Sequence, residues 1–141
     1  MAENHLLKID SIKKKFSSLK NSEERYSLLI ELGRKLPPYP SDLKTPDRIV
    51  AGCQSTLYLA THLIDGRLTF SAASDALISA GLAAILIEAY SNTTPETLLR
   101  NPPTFLQEIG IFASLSPSRS NGLAHIYLRM KQDALKTFLV I

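Results

Sequence analysis

Apolar residues recur along the chain at two spacings, and the switch between them divides the sequence into three parts. Ile9, Ile12, Phe16 and Leu19 keep helical spacing on one face and predict a first helix. Asn21 followed by Glu24 has the spacing of a capping box, opening a second helix that runs to about Leu36. Pro37, Pro38 and Pro40 stop it, because proline has no amide hydrogen and clashes with the preceding turn. From 55 to 63 the period becomes two, with Leu57, Leu59 and Leu63 on one side and Thr56, Tyr58 and His62 on the other. Asp65-Gly66 is a hairpin turn signal, and Leu68, Phe70 and Ala72 continue the alternation on the returning strand. A short strand over 48–51 leads into the loop Gly52-Cys53-Gln54. Helical spacing then returns. Ser74 is the expected N-cap of a helix from 75 to about 90, apolar nearly all round and therefore central. Short helices follow near 95–100 and 102–109. A last amphipathic helix starts after Ser116-Pro117, with Leu123, Ile126, Tyr127, Met130 and Ala134 facing inward.

This order predicts an α+β fold, a small antiparallel sheet packed against helices. No internal repeat, low-complexity tract or long linker interrupts residues 1–141, so a single domain is expected. The hairpin turn also sets a register. Ser74 falls opposite Leu57 and Asp75 opposite Thr56, which returns the start of the central helix to the sheet end that carries Cys53.

Composition narrows the function. The chain has 141 residues, 45% hydrophobic and 21% charged, as in ordinary globular proteins. The net charge of +3 is mild, and Lys8, Lys13, Lys14, Lys15 and Lys20 carry much of it in the first helix. Aromatic residues sit at core-like spacing rather than among those lysines, so the basic face reads as solvated and no nucleic-acid partner is expected. The longest apolar stretch, 80–87, is far short of the ~18–20 residues of a membrane span. The start alternates charged and apolar residues, unlike a signal peptide. A cytoplasmic, reducing location is expected, where a lone thiol stays free.

Cys53 is that thiol. One cysteine excludes an internal disulfide and any multi-thiolate metal site, and no Cys/His pair has ligand spacing, so no metal or cofactor is expected on this chain. Two readings of Cys53 stand side by side. Free cysteine often serves as a small buried hydrophobe, whereas Gly-Cys-Gln between strand-like segments reads as a loop rather than core, carrying a reactive thiol. A helix N-terminus near it lowers a thiol pKa, while the Asp75 carboxylate works against thiolate or simply complements its own helix dipole. A Cys–His hydrolase needs an imidazole beside the thiol. His62 lies toward the far end of its strand, His125 lies inside the last helix, and His5 is expected at the solvent-exposed start.

Three blocks then stand in order: Ala51-Gly52-Cys53-Gln54-Ser55, Ser74-Asp75-Ala76, and Leu115-Ser116-Pro117-Ser118-Arg119-Ser120-Asn121-Gly122-Leu123. Together they resemble the SufE family, and Glu23-Glu24-Arg25 through Leu36-Pro37 resembles the family's helix before the active-site loop. The similarity runs from about 16 to 134. It implies a fold related to iron–sulfur scaffold proteins. It also implies an accessory sulfur carrier rather than an independent enzyme. Cys53 would accept persulfide sulfur from a SufS-type cysteine desulfurase, which holds the pyridoxal phosphate, and pass it to a downstream iron–sulfur scaffold. The resemblance places Arg119 near the loop, as thiolate support or partner contact. Gly52, Gln54, Ser55 and Asn121 would shape the loop, and Asp75 would modulate it. Tyr58 and Ala80 depart from the tryptophan and lysine common there. A desulfurase-binding regulatory module that carries no sulfur is the rival expectation, and a hydrolase the third.

Overall fold

A computed structural model describes residues 2–53 and 55–139. It is α+β as expected, with seven α-helices and one two-stranded antiparallel sheet among the described residues. Helix α1 (Ala2–Ser17) buries Ile9, Ile12 and Phe16, the stripe that its spacing predicted. Asn21 caps α2 (Ser22–Arg34): its Oδ1 accepts from the Glu24 amide at 2.9 Å. The Glu24 carboxylate reaches back to the amide of Lys20, one residue earlier than a regular capping box. After the prolines come two 3₁₀ turns, Ser41–Leu43 and Pro46–Arg48.

Strands β1 (Leu57–Ile64) and β2 (Arg67–Ser74) pair from Leu57↔Ser74 to Ile64↔Arg67, the register that the turn dictates. Asp65 and Gly66 take φ of 52° and 77°, as a tight two-residue hairpin turn requires. The chain continues through α3 (Leu77–Tyr90), the short helices α4 (Pro95–Arg100), α5 (Phe105–Glu108) and α6 (Ile111–Ser114), and the long α7 (Pro117–Leu139).

Helix α3 is central. It packs on α2, β2, α1 and α7, with Leu82, Ala83, Ile85, Leu86 and Ala89 buried. Its approach to α2 brings backbone onto backbone: a Cβ on Gly81 would overlap the Leu29 carbonyl, and one on Gly33 would stand 2.8 Å from the Gly81 nitrogen. Ala80 lies in the same contact and is buried, so a small residue suits it. Leu57, Leu59, Leu68, Phe70 and Ala72 line the inner face of the sheet, while Leu123, Ile126, Met130 and Ala134 of α7 join the same core.

Several local expectations are corrected. Residues 48–51 form no strand; their pairing reduces to one bridge, Ile49↔Tyr58, with the Val50 amide donating to Leu57 O at 2.9 Å. Pro46 starts a helical turn there, and Gly52 at φ 84° ends the extended course. Ser74 does not cap α3. Pairing with Leu57 keeps it extended, its hydroxyl donates to Thr56 O at 2.8 Å, and the N-cap is Ala76. Asp75 therefore lies in the bend before the helix rather than in its first turn. Leu63 is 47% exposed, because the hairpin extends past the core. Pro102 and Pro103 delay the expected 102–109 helix to Phe105. His5 is only 4% exposed: Nδ1 lies 2.7 Å from Ala89 O, and the ring stacks on Tyr90.

Gly81→Ala is expected to lose ~1–3 kcal/mol of stability, because neither backbone can yield locally. Thermal unfolding followed by circular dichroism measures it; an unchanged melting temperature would mean that the two helices separate freely.

Candidate functional site

The loop that carries Cys53 is closed at its base by the bond between Val50 N and Leu57 O. Gly52, in the left-handed region, turns the chain so that Cys53 meets α7. The thiol is half-buried, with Sγ 3.9 Å from Gly122 O. It faces a cavity of about 60 Å³. Leu82 and Ile126 supply apolar lining, while Ser55, Ser79, Ser118 and Arg119 supply the polar part. Ser55 and Ser79 are joined hydroxyl to hydroxyl at 2.9 Å, which ties the loop to the first turn of α3.

Two helix N-termini converge there. Ser79 belongs to the first turn of α3, and Ser118 and Arg119 to that of α7. Pro117 opens α7 without wasting an amide, and Ser116 Oγ accepts from the Arg119 amide at 3.3 Å. Both positive dipole ends favour an anion at the cavity. Arg119 opposes the dipole of its own helix, and no ion pair engages it among the described residues. Against these influences stands desolvation. Burial pushes the Cys53 thiol above its ordinary value, because desolvation favours the neutral form.

The other sequence candidates separate by place. Gly52 and Ser55 are in the loop as expected, and Gln54 lies outside the described residues. Asp75 reaches the same sheet end but is exposed, lining a separate groove with Lys44, Thr56 and Tyr58. Asn121 is exposed on α7 and lines no part of the cavity. His62 is exposed and pairs with Thr69 near the hairpin turn. His125 packs on Gly52 and does not line the cavity. Among the described residues, no group of three or more His, Cys, Asp and Glu residues is placed to hold a metal.

The block that the resemblance placed near the loop holds Ser118, Arg119 and Gly122, whereas sequence reasoning missed Ser79 and Leu82 as neighbours of the thiol. Arg129 was missed as well. This guanidinium pairs with Asp133 at 3.1 Å and donates to Asp47 O at 2.6 Å and Ile49 O at 3.2 Å. Thr61 holds the other carboxylate oxygen at 2.7 Å.

Residues 10–134 match the family model described as SufE, Fe-S metabolism associated domain. The chain belongs to the SufE family. That membership gives it a role in iron–sulfur metabolism and agrees with the three motif blocks. An uncharacterised SufE-like protein of Synechocystis sp. is 33% identical over 124 residues, covering 88% of this chain and 78% of that one. A second SufE-like protein, from Rhizobium meliloti, is 36% identical, covering 89% of this chain and 94% of its own. SufE-like protein 1 of Arabidopsis thaliana, named as chloroplastic/mitochondrial, is 34% identical over 91% of this chain and 35% of that longer protein. The solution structure of a hypothetical protein from Thermus thermophilus superposes with a TM-score of 0.78 at 25% identity, covering 94% of this chain and 96% of that one. The organelle in the plant protein's name means that SufE membership alone does not select the cytoplasm. Among the described residues, no helix is long and apolar enough to cross a membrane.

Alkylation of Cys53 in the isolated protein is expected to rise with pH through an inflection above that of the urea-unfolded chain, since burial favours the neutral thiol. Initial rates with a neutral haloacetamide measure it. An inflection at or below the unfolded value would mean that Arg119 and the helix ends already outweigh desolvation.

Proposed function

We propose that this protein is a sulfur acceptor, taking a persulfide sulfur onto Cys53 from a SufS-type cysteine desulfurase and passing it on for iron–sulfur cluster assembly. The observation that carries this reading is the placement of the chain's lone thiol beside a small cavity under two helix N-termini and Arg119. The cavity of about 60 Å³ exceeds the ~10–15 Å³ that one water needs, so one further sulfur atom fits beside Sγ.

The transfer is a thiol–disulfide type of displacement. Cys53 thiolate attacks the outer sulfur of the donor persulfide, a new S–S bond forms on Cys53, and the donor's S–S bond breaks. The electron pair of that bond leaves with the desulfurase cysteine, and no net oxidation occurs. The pyridoxal phosphate that generates the donor persulfide belongs to the partner. This chain contributes an anion-favouring environment: the positive helix ends and the Arg119 guanidinium support charge on Cys53 before attack and on the outer sulfur afterwards. In the free protein burial opposes them, since it raises the thiol pKa and favours the neutral form. A partner that completes the charge environment on docking would release this restraint.

Incubation with a SufS-type desulfurase and cysteine is expected to add one sulfur atom, about 32 Da, to the intact mass of the parent protein and none to Cys53→Ser. Cys53→Ser should fold and bind the desulfurase but fail to raise cysteine turnover. Retained stimulation by that variant would make the protein a docking regulator instead.

Arg119→Ala is expected to slow sulfur uptake about tenfold, corresponding to ~1.4 kcal/mol of barrier, with a nearly unchanged melting temperature. Single-turnover mass spectrometry together with a thermal melt checks both parts. Normal uptake with a large fall in melting temperature would make Arg119 a structural residue.

A further inference from the structure

Between Asp47 and Cys53 the backbone lies along α7 like a strap, held at three successive levels. At one end, Arg129 donates to Asp47 O at 2.6 Å and Ile49 O at 3.2 Å. One turn nearer the start of α7, the His125 imidazole lies over the Cα of Gly52. A Cβ there would come within 2.5 Å of its Cδ2 and 2.6 Å of its Nε2. Three residues further on, Gly122 O stands 3.9 Å from Cys53 Sγ.

These three contacts differ in kind. Arg129 is locked by Asp133, which Thr61 of β1 also holds, so releasing this end would strand a largely buried carboxylate. The sulfur–carbonyl contact at the other end is long and weak. Among the described residues His125 forms no hydrogen bond, so it acts on Gly52 through its shape. Gly52 is also the residue best able to move, because at φ 84° it occupies a conformation that glycine enters and leaves without steric cost. The ring therefore occupies the space beside Gly52, the glycine joint between a firmly anchored segment and the thiol.

We propose that His125 is a positioning residue that pins Gly52 in its left-handed conformation, keeps the Cys53 thiol against its cavity, and sets how often the thiol is exposed. Its functional meaning rests on the sulfur-carrier reading, since a carrier must shield its sulfur between partners and present it on contact. The device is local: opening the joint moves Gly52 and Cys53 while the bond from Val50 to Leu57 and the Arg129 anchor stay in place.

The test is the second-order rate of Cys53 alkylation by iodoacetamide, followed by intact mass in the free protein at one pH, with a thermal melt of each variant. His125→Ala is expected to react about fivefold faster or more, as a small loss of local closure implies, at an unchanged melting temperature. His125→Phe restores a flat ring over Gly52 and is expected to react at the parent's rate. His125→Asn, which keeps a polar group without the ring, should behave as alanine does. Alkylation of both ringless variants at the parent's rate, or a phenylalanine variant as fast as alanine, would overturn the proposal. No desulfurase enters this measurement, so failure of the parent protein to take up sulfur would overturn the carrier reading and leave this result standing.

Discussion

The contact of α2 with α3 at Gly33 and Gly81 is the constraint on which the rest of the molecule depends. With no side chain at Gly33 or Gly81 and only the small Ala80 beside them, the two helices meet backbone to backbone, and α3 settles at the centre of the core. Everything that the site needs is then referred to α3. Its first turn supplies Ser79 and a positive dipole end to the cavity, while β2, which leads into it, pairs with the strand that follows Cys53. Its last turn supplies Ala89 O to His5, and Ser91 O just beyond it accepts from Lys8, so α1 is tied to the opposite end of the same helix. A side chain at Gly81 would displace the cavity wall as well as the core.

The site sets two opposing influences on one sulfur atom. Burial stabilises the neutral thiol, whereas two helix N-termini and the Arg119 guanidinium stabilise an anion. The balance is adjustable because the groups differ in how firmly they are held. The dipoles are fixed by the fold. Arg119 is partly exposed, and desolvation depends on how far the loop stands off α7. Asp75, whose carboxylate disfavours an anion, lines a separate groove and not the cavity that the thiol faces.

Legibility in the sequence followed the range of the interactions. The hairpin register, the capped α2 and the apolar stripes of α1 and α7 were readable because each rests on short-range periodicity or on one turn. Ser74 and residues 48–51 were misread because pairing with distant residues decided them: Leu57 keeps Ser74 extended, and a single bridge replaces the expected strand. His5 was misread for a similar reason, since its acceptor on Ala89 lies 84 residues away. Cys53 stood out as the lone thiol in a glycine loop. Ser79 and Leu82 beside it did not, because α3 reaches the loop only through tertiary packing.

The single backbone bond from Val50 to Leu57 has a consequence for cargo. It marks the loop off as a closed bight whose ends are joined whether or not its crown moves. Chain entropy inside such a bight is small and self-contained, so on the sulfur-carrier reading an added sulfur atom is expected to leave the cooperative unit beneath unaltered. On that reading the charged and empty states would differ in chemistry alone, and a partner would have to distinguish the two by touching the sulfur rather than by sensing a change of shape.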